Sequence, residues 1–343
     1  MCQYCRIVPQ DVLLRLSKDA ALSEEVRRDL KQTAEIDTQA RKLREQALKL
    51  TKITQQTSLA VATLAAAPTV TVYDCNHTQT LPGAPVTNPG HAGDATAKRA
   101  FATTTKVAEF YSKVFGRNSI DNGGMTLMSS VHYGVRYNNA FWNGFQMTYG
   151  DGDNAIFVDF TKGNDVVCHE LTHGVTQYTV QLNYSNEPGG LNEGLSDAFG
   201  SMFRQWMANQ TVNQADWLIG KDIMGAQAHA KGYTCLRDMA NQGAAHCLAP
   251  QPNHYSKYRP GMDPHYSSGI PNAAFYKAAM AVGGKSWEKV GQIWYRAITG
   301  YSPSPNLKMA KFAQRTRQAA SQLYAGNAAV INAVDQAWKQ VGL

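Results

Sequence analysis

His169, Glu170 and His173 are the residues of this chain whose types and spacing best suit chemistry. On a helix, residues four apart share a face, so two imidazoles can bind one zinc ion while Glu170 reaches a water on the metal. Zinc draws the pKa of such a water towards neutrality and a neighbouring carboxylate takes its proton, which is the chemistry of metal-assisted hydrolysis. Alone, the pentapeptide also suits an amphipathic helix with two satisfied histidines. The segment downstream supplies what that reading lacks. Glu193 follows His173 by 20 residues and Asp197 follows Glu193 by four. Catalytic zinc commonly takes three protein ligands and keeps one position open, and two histidines with a glutamate form an established set. With Glu193 on the metal, Asp197 on the same helical face can accept a ring N–H from one ligand histidine, and Asn192 can serve the other.

These motifs have to be carried by two helices facing one another, and the stretches around them bear a resemblance. From about residue 68 onward the chain is similar to the thermolysin-family neutral metallopeptidases. Residues 137–144 (YNNAFWNG) and 147–153 (MTYGDGD) resemble that family's edge strand and the turn after it. The resemblance implies that Asn139 and the Ala140 backbone hold an extended peptide on either side of the scissile bond, by strand addition. Residues 263–270 (DPHYSSGI) resemble the family segment with a further active-site histidine. By that resemblance His265, together with Tyr184, stabilises the oxyanion of the tetrahedral intermediate. Arg237 aligns with an arginine that contacts the substrate carbonyl on the leaving-group side, with a structural ion pair as the equal alternative. Phe157, Phe160, Val166 and Leu236 match positions lining an apolar pocket beyond the scissile bond. The implied preference is for large hydrophobic residues at P1′, in a pocket that the bulky Phe160 makes shallower.

The resemblance implies an α+β, two-lobed thermolysin-like fold with one catalytic zinc. In it a β-rich N-terminal lobe and a helical C-terminal lobe have the zinc helix between them, behind a small helical propeptide. The expected domains are residues 1–66 as propeptide with linker, 67–185 as the β-rich lobe including the zinc helix, and 186–343 as the helical lobe. Helices are expected over residues 272–282 and 305–324. The chain departs from the family where paired calcium ions are bound. Asp165 and Asp216 remain, but Arg204, Leu218 and Lys221 stand where acidic ligands would be. Calcium needs six to eight oxygen ligands, so the paired site is expected to be absent and the cations to neutralise the aspartates, leaving room for a single calcium elsewhere. The family's acidic partner for His265 is also not at its usual spacing, which leaves the role of Asp263 open.

Ahead of the catalytic part, Ile36, Ala40, Leu43, Ala47 and Leu50 recur at helical spacing. Residues 1–9 (MCQYCRIVP) resemble the leader of the protealysin-like subgroup, whose members have a short propeptide. A cysteine thiolate is a good zinc ligand, so Cys5, with Cys2 as second choice, is expected to occupy the open zinc position in a self-inhibited precursor. Self-cleavage is expected in the Ala-rich run at residues 59–67. No basic start with an uninterrupted apolar stretch opens the chain; export without a classical signal peptide is expected, from a cytoplasmic precursor. Cys235 and Cys247 could close a short loop as a disulfide, which would imply an oxidising destination. Cys168 is expected to be a small buried residue, and Cys75 has no obvious partner.

With 343 residues, 43% of them hydrophobic and 17% charged, the chain has the composition of a globular protein, and disordered and membrane classes are excluded. The formal charge of +7 is dispersed and comes with no nucleic-acid-binding motif. The partners expected are peptide and protein substrates and the chain's own propeptide, with neither nucleic acid nor membrane, and a monomer.

Overall fold

The structure, a computed structural model, describes residues 5–50 and 68–343, and of residues 41–50 the backbone alone. Cys2 and the whole Ala-rich run at residues 59–67 thus lie outside the described residues. The N-terminal segment comprises a two-residue strand β1 (Cys5–Arg6), helix α1 (Gln10–Leu16) and helix α2 (Glu24–Leu50). Val12, Leu13 and Leu16 of α1 are buried, with Val26, Leu30, Thr33, Ala34 and Asp37 of α2. That α2 stripe follows helical periodicity but leads through Thr33 and Asp37. Of the stripe expected on Ile36, Ala40, Leu43, Ala47 and Leu50, Ile36 is buried and Ala40 half-buried, while the side chains of Leu43, Ala47 and Leu50 lie outside the described residues.

The β-rich part holds β2 (Val70–Asp74), β3 (Ala84–Pro85), α3 (Ala95–Phe115), β4 (Leu127–Val131), β5 (Ala140–Trp142), β6 (Met147–Tyr149) and α4 (Asn164–Gln177). Its sheet runs β1-β5-β6-β4-β2-β3, with β2, β4 and β6 parallel and the other pairs antiparallel. The N-terminal segment thus extends the sheet at its edge, Cys5 opposite Trp142 and Arg6 opposite Phe141. Sequence sets the turns. Asn143 ends the β5–β6 hairpin by accepting the Phe145 and Gln146 amides, as a short polar side chain does in a tight turn. After β6, Gly152 has φ +71, and a Cβ there would stand 2.4 Å from the Phe157 carbonyl oxygen. Only glycine fits.

The helical part holds α5 (Asn186–Met207), β7 (Leu218–Ile219), α6 (Ala226–Ala230), β8 (Arg237–Asp238), α7 (Pro264–Ser267), α8 (Gly269–Val282), α9 (Val290–Thr299), α10 (Met309–Leu323) and α11 (Ala328–Lys339). Helix α8 starts three residues earlier than expected, because Pro271 is tolerated in a first turn that has no use for its missing N–H. Helix α10 starts four residues later than expected: residues 304–307 form a turn, and Glu187 of α5 accepts the Met309 amide at the helix start. Among the described residues no helix is long and apolar enough to cross a membrane. Helices α4 and α5 are buried along most of their lengths and pack on each other. Gly200 permits the approach, since a Cβ there would lie 2.7 Å from the Asp165 carbonyl oxygen. This close crossing is what brings two runs of polar residues together inside the molecule.

Candidate active site

Where α4 and α5 face one another, His169 Nε2 and His173 Nε2 lie 3.1 Å apart. Glu193 turns both oxygens to them, Oε2 3.4 Å from His169 Nε2 and Oε1 3.4 Å from His173 Nε2. Glu193 Oε2 is buried with no hydrogen-bond partner, an arrangement that costs free energy unless a cation completes it. Ligands about 2.0–2.2 Å from a tetrahedral zinc stand about 3.3–3.5 Å from each other, and these three donors are close to that spacing. The residues present fit zinc with one position open.

A second ring of contacts holds the histidines. His169 Nδ1 is 2.8 Å from Asp197 Oδ1, and His173 Nδ1 is 2.8 Å from Asn192 Oδ1 and 3.1 Å from Ser196 Oγ. Such contacts fix ring orientation and leave the opposite nitrogens for metal. Asp197 is itself gripped by Arg237, whose Nε and Nη2 each donate over 2.8 Å, and by Asn272 Nδ2 at 2.8 Å. Burial works against the Asp197 charge, but Arg237 and His169 outweigh it and hold the carboxyl down to about 2. Glu170 accepts the Trp142 backbone N–H at 2.9 Å through Oε2, while its buried Oε1 has no partner. Burial pushes this carboxyl up to about 8; the charge of a bound dication works the other way.

On the other side of the cleft the Tyr184 hydroxyl donates to Glu193 Oε1 and lies 3.3 Å from His265 Nε2. The open question about Asp263 has an answer here: its Oδ1 is 2.7 Å from His265 Nδ1 and also accepts the His265 amide, capping α7. Burial disfavours the His265 cation, yet Glu193 and Asp263 raise its pKa to about 9.

The N-terminal strand lies across this cleft. The Ile7 amide donates to the Ala140 carbonyl at 3.3 Å. Asn139 clasps Val8 twice, Oδ1 accepting its amide at 3.0 Å and Nδ2 donating to its carbonyl at 3.1 Å. His265 Nε2 donates to the Arg6 carbonyl at 2.5 Å, and Arg237 Nη1 donates to the Ile7 carbonyl at 3.0 Å. The two contacts that stood as alternatives for Arg237 are both present: it pairs with Asp197 and donates to the Ile7 carbonyl. Phe157, Phe160, Val166 and Leu236 are entirely buried in the same apolar cluster as Ile7 and Val8.

Two residues of this contact were not foreseen. Arg6 Nε pairs with Asp37 Oδ1 at 2.6 Å, and Asp37 also receives Tyr137 Oη at 2.5 Å and Asn139 Nδ2 at 3.0 Å. Asp37 is wholly buried. A signal was present: it sits where the buried stripe of α2 calls for an apolar side chain.

Cys5, His173 and Glu193 bring ligand atoms within 4.8 Å of one another. Cys5 is nevertheless disulfide-bonded, so the thiolate expected at the metal is in its oxidised form in this structure; Cys2 lies outside the described residues. Where the paired calcium site is expected to be absent, Arg204 stands 3.8 Å from both Asp165 and Asp216 and 2.7 Å from Asp222, and Lys221 is 3.0 Å from Asp216. Cys235 and Cys247, which the sequence leaves open as a disulfide, are unbridged, with sulfurs 3.7 Å apart. Cys168 is buried as expected, its sulfur facing the Phe199 carbonyl.

Two family models cover nearly the whole chain, the thermolysin metallopeptidase catalytic domain over residues 35–177 and its alpha-helical domain over residues 180–343. The extracellular metalloprotease of Pectobacterium carotovorum subsp. carotovorum is 42% identical over 283 residues, 79% of this chain and 80% of that protein. A thermolysin of Bacillus sp. (strain EA1) is 39% identical over 79% of this chain, but the match spans only 50% of that longer protein. Among solved structures, the precursor of protealysin, a metalloproteinase from Serratia proteamaculans, superimposes with a TM-score of 0.81 at 35% identity, covering 98% of this chain and 99% of that one. With fold, site geometry and relatives in agreement, the chain belongs to the thermolysin metallopeptidase family and is a zinc metalloendopeptidase.

Proposed function

We infer that this endopeptidase is made as a self-inhibited precursor and cleaves before large hydrophobic residues. The observation that carries the reading is the segment at residues 5–8, which lies in the cleft as a substrate would: its strand β1 paired to β5, with the Arg6 carbonyl at His265 and the Ile7 carbonyl at Arg237. By those contacts the Arg6–Ile7 bond stands where a scissile bond would. Ile7 then takes the leaving-group side, in keeping with an apolar P1′ pocket of Phe157, Phe160, Val166 and Leu236.

His169, His173 and Glu193 would hold the zinc, which when bound supplies Lewis acidity to the carbonyl and to the attacking water. Glu170 takes the proton of that water and later returns it to the leaving amine; its oxygen without a partner is free for that task. The Trp142 amide fixes the other oxygen. His265, oriented by Asp263, and Tyr184 donate to the oxygen on which negative charge develops. Asn139 and Ala140 align the peptide, and Arg237 holds the next carbonyl while keeping Asp197 on His169. Residues 1–66 act as the propeptide, 67–185 and 186–343 as the two catalytic lobes, with self-cleavage in the 59–67 run. Arg204 and Lys221 replace paired calcium, and the enzyme is exported, in keeping with its extracellular relative. In the reduced precursor the Cys5 thiolate takes the open zinc position, adding a lock to the strand.

The test follows propeptide loss in the full chain under reducing conditions. The wild-type precursor should persist, while C2S/C5S should process and acquire casein-hydrolysing activity sooner. Equal precursor lifetimes would remove Cys5 from the lock, and retained self-processing in E170A would overturn the base assignment.

A further inference from the structure

Outside the cleft, Cys235, His246 and Cys247 form a second group whose ligand atoms all lie within 4.8 Å of one another. We propose that it is a second zinc site, held by the thiolates of Cys235 and Cys247 and the imidazole of His246. The spacing of the sulfurs carries the argument. They are 3.7 Å apart, far beyond a disulfide's roughly 2.05 Å, whereas two thiolates at about 2.3 Å from one tetrahedral zinc stand about 3.8 Å apart. The backbone sets this distance: Cys235 and Cys247 form a parallel bridge, with the Thr234 amide on the His246 carbonyl at 2.9 Å and the Leu248 amide on the Cys235 carbonyl at 3.0 Å.

Chemistry and charge agree with the spacing. Both cysteines are buried, with Ala244 and Leu218 packed beside them, so a lone thiolate there would be an unpaired buried charge. Two thiolates, a neutral imidazole and Zn2+ make a neutral unit, and binding releases the two thiol protons to solvent. His246 keeps 39% of its side chain exposed, which gives the ion a way in, and its Nε2 lies 3.2 Å from Asp238 Oδ2. That is the carboxylate partner a ligand histidine takes. Asp238 also accepts the Ala240 and Asn241 amides at 2.8 and 2.9 Å. The site therefore closes the loop that leaves β8 after Asp238, joining it back to Cys235 just ahead of Leu236 and Arg237, and it pins the wall of the cleft from behind.

The test is zinc content of the purified full-length chain, prepared reduced, loaded with zinc and dialysed. Wild type should carry about two zinc ions per chain, H173A about one, and C235S/C247S about one. Since C235S/C247S removes two buried side chains, H246A, at a partly exposed position, provides a second readout: it should lose the same ion and retain peptidase activity at ordinary temperature. With cobalt in place of zinc, a C2S/C5S chain should still show thiolate-to-metal charge-transfer absorption, and C235S/C247S on that background should lose it. About one zinc in wild type and none in H173A, or a Cys235–Cys247 disulfide found by mass spectrometry in the zinc-loaded protein, would overturn the site without touching the peptidase reading.

Discussion

At the scale of single residues the chemistry depends on a few buried groups whose neighbours decide what they can do. E170Q should keep the fold and the zinc but lower kcat/KM about 10²- to 10⁴-fold, the usual worth of a positioned general base. Peptide hydrolysis read beside metal content checks this, and near-normal turnover with zinc bound would sink it. Asp197 serves two masters, His169 and Arg237, all three entirely buried. D197A should weaken zinc binding about 10- to 100-fold through the loosened imidazole. It also strands the Arg237 charge, at a cost of about 3–5 kcal/mol; denaturant unfolding and zinc titration separate the two effects. A loss in zinc affinity with unchanged stability would mean that Arg237 finds another partner.

At the scale of elements, β1 and α2 act on the cleft together. Asp37 on α2 ties Arg6 of β1 to Tyr137 and Asn139 ahead of β5. D37N keeps the shape but removes the charge, so the strand should leave the cleft more readily. Propeptide loss should then start earlier than in wild type, measured on gels over time; an unchanged lag would show that strand pairing and Cys5 suffice without it. The α4–α5 crossing is equally exposed to one atom. G200A puts a methyl 2.7 Å from the Asp165 carbonyl, which backbone cannot yield cheaply. Overpacking of this kind costs about 1–3 kcal/mol and should reduce zinc retention with it, because both ligand helices shift.

At the scale of the molecule, the N-terminal segment spans both lobes. Arg136 of the β-rich part pairs with Asp29 at 2.8 Å, while on the helical part Lys231 pairs with Asp19 at 2.7 Å and the Leu248 carbonyl accepts Arg15 at 2.7 Å. Stability as a function of pH should be governed in part by His132, which joins the ends of β4 and β6 to the start of α3. Its ring lies between Asp151 at 2.9 Å and Asp94 at 2.7 Å, with His77 facing the same Asp151. The Asp151 hydrogen bond outdoes burial and, with Asp94, raises the His132 pKa from 6.5 to about 9. A raised pKa means that the stabilisation is fully present below about 6.5 and lost as pH climbs through about 9. Burial works against the Asp94 charge, but the His132 hydrogen bond and the Thr96 amide outweigh it and shift Asp94 down, so its share is present above the ordinary aspartate range and lost on acidification. H132N, which tolerates the left-handed backbone at φ 53, should therefore have a Tm deficit that is large at neutral pH and shrinks towards pH 10. A deficit independent of pH would assign His132 a packing role instead.

His169, Glu170, His173, Asn192, Glu193 and Asp197 could be singled out from the sequence because they lie on two helices, with His169 and His173, and likewise Glu193 and Asp197, four residues apart, and helical periodicity is local. Asn139, Arg237 and His265 were legible only through family resemblance, since they come from separate loops and strands with no pattern of their own. Tertiary structure alone decided that Arg237 both pairs with Asp197 and holds a peptide carbonyl, and that Asp263 orients His265. It also decided that Arg204 faces three aspartates, and that Cys235 and Cys247 stand apart at a metal-like distance. Asp37 is the sharpest case: its sequence position says buried, its chemistry says exposed, and the conflict is resolved by Arg6, Tyr137 and Asn139, which only folding brings to it. Spacing along a chain fixes which side chains share a face; which faces then meet depends on long-range packing, and that is where this enzyme's cleft is made.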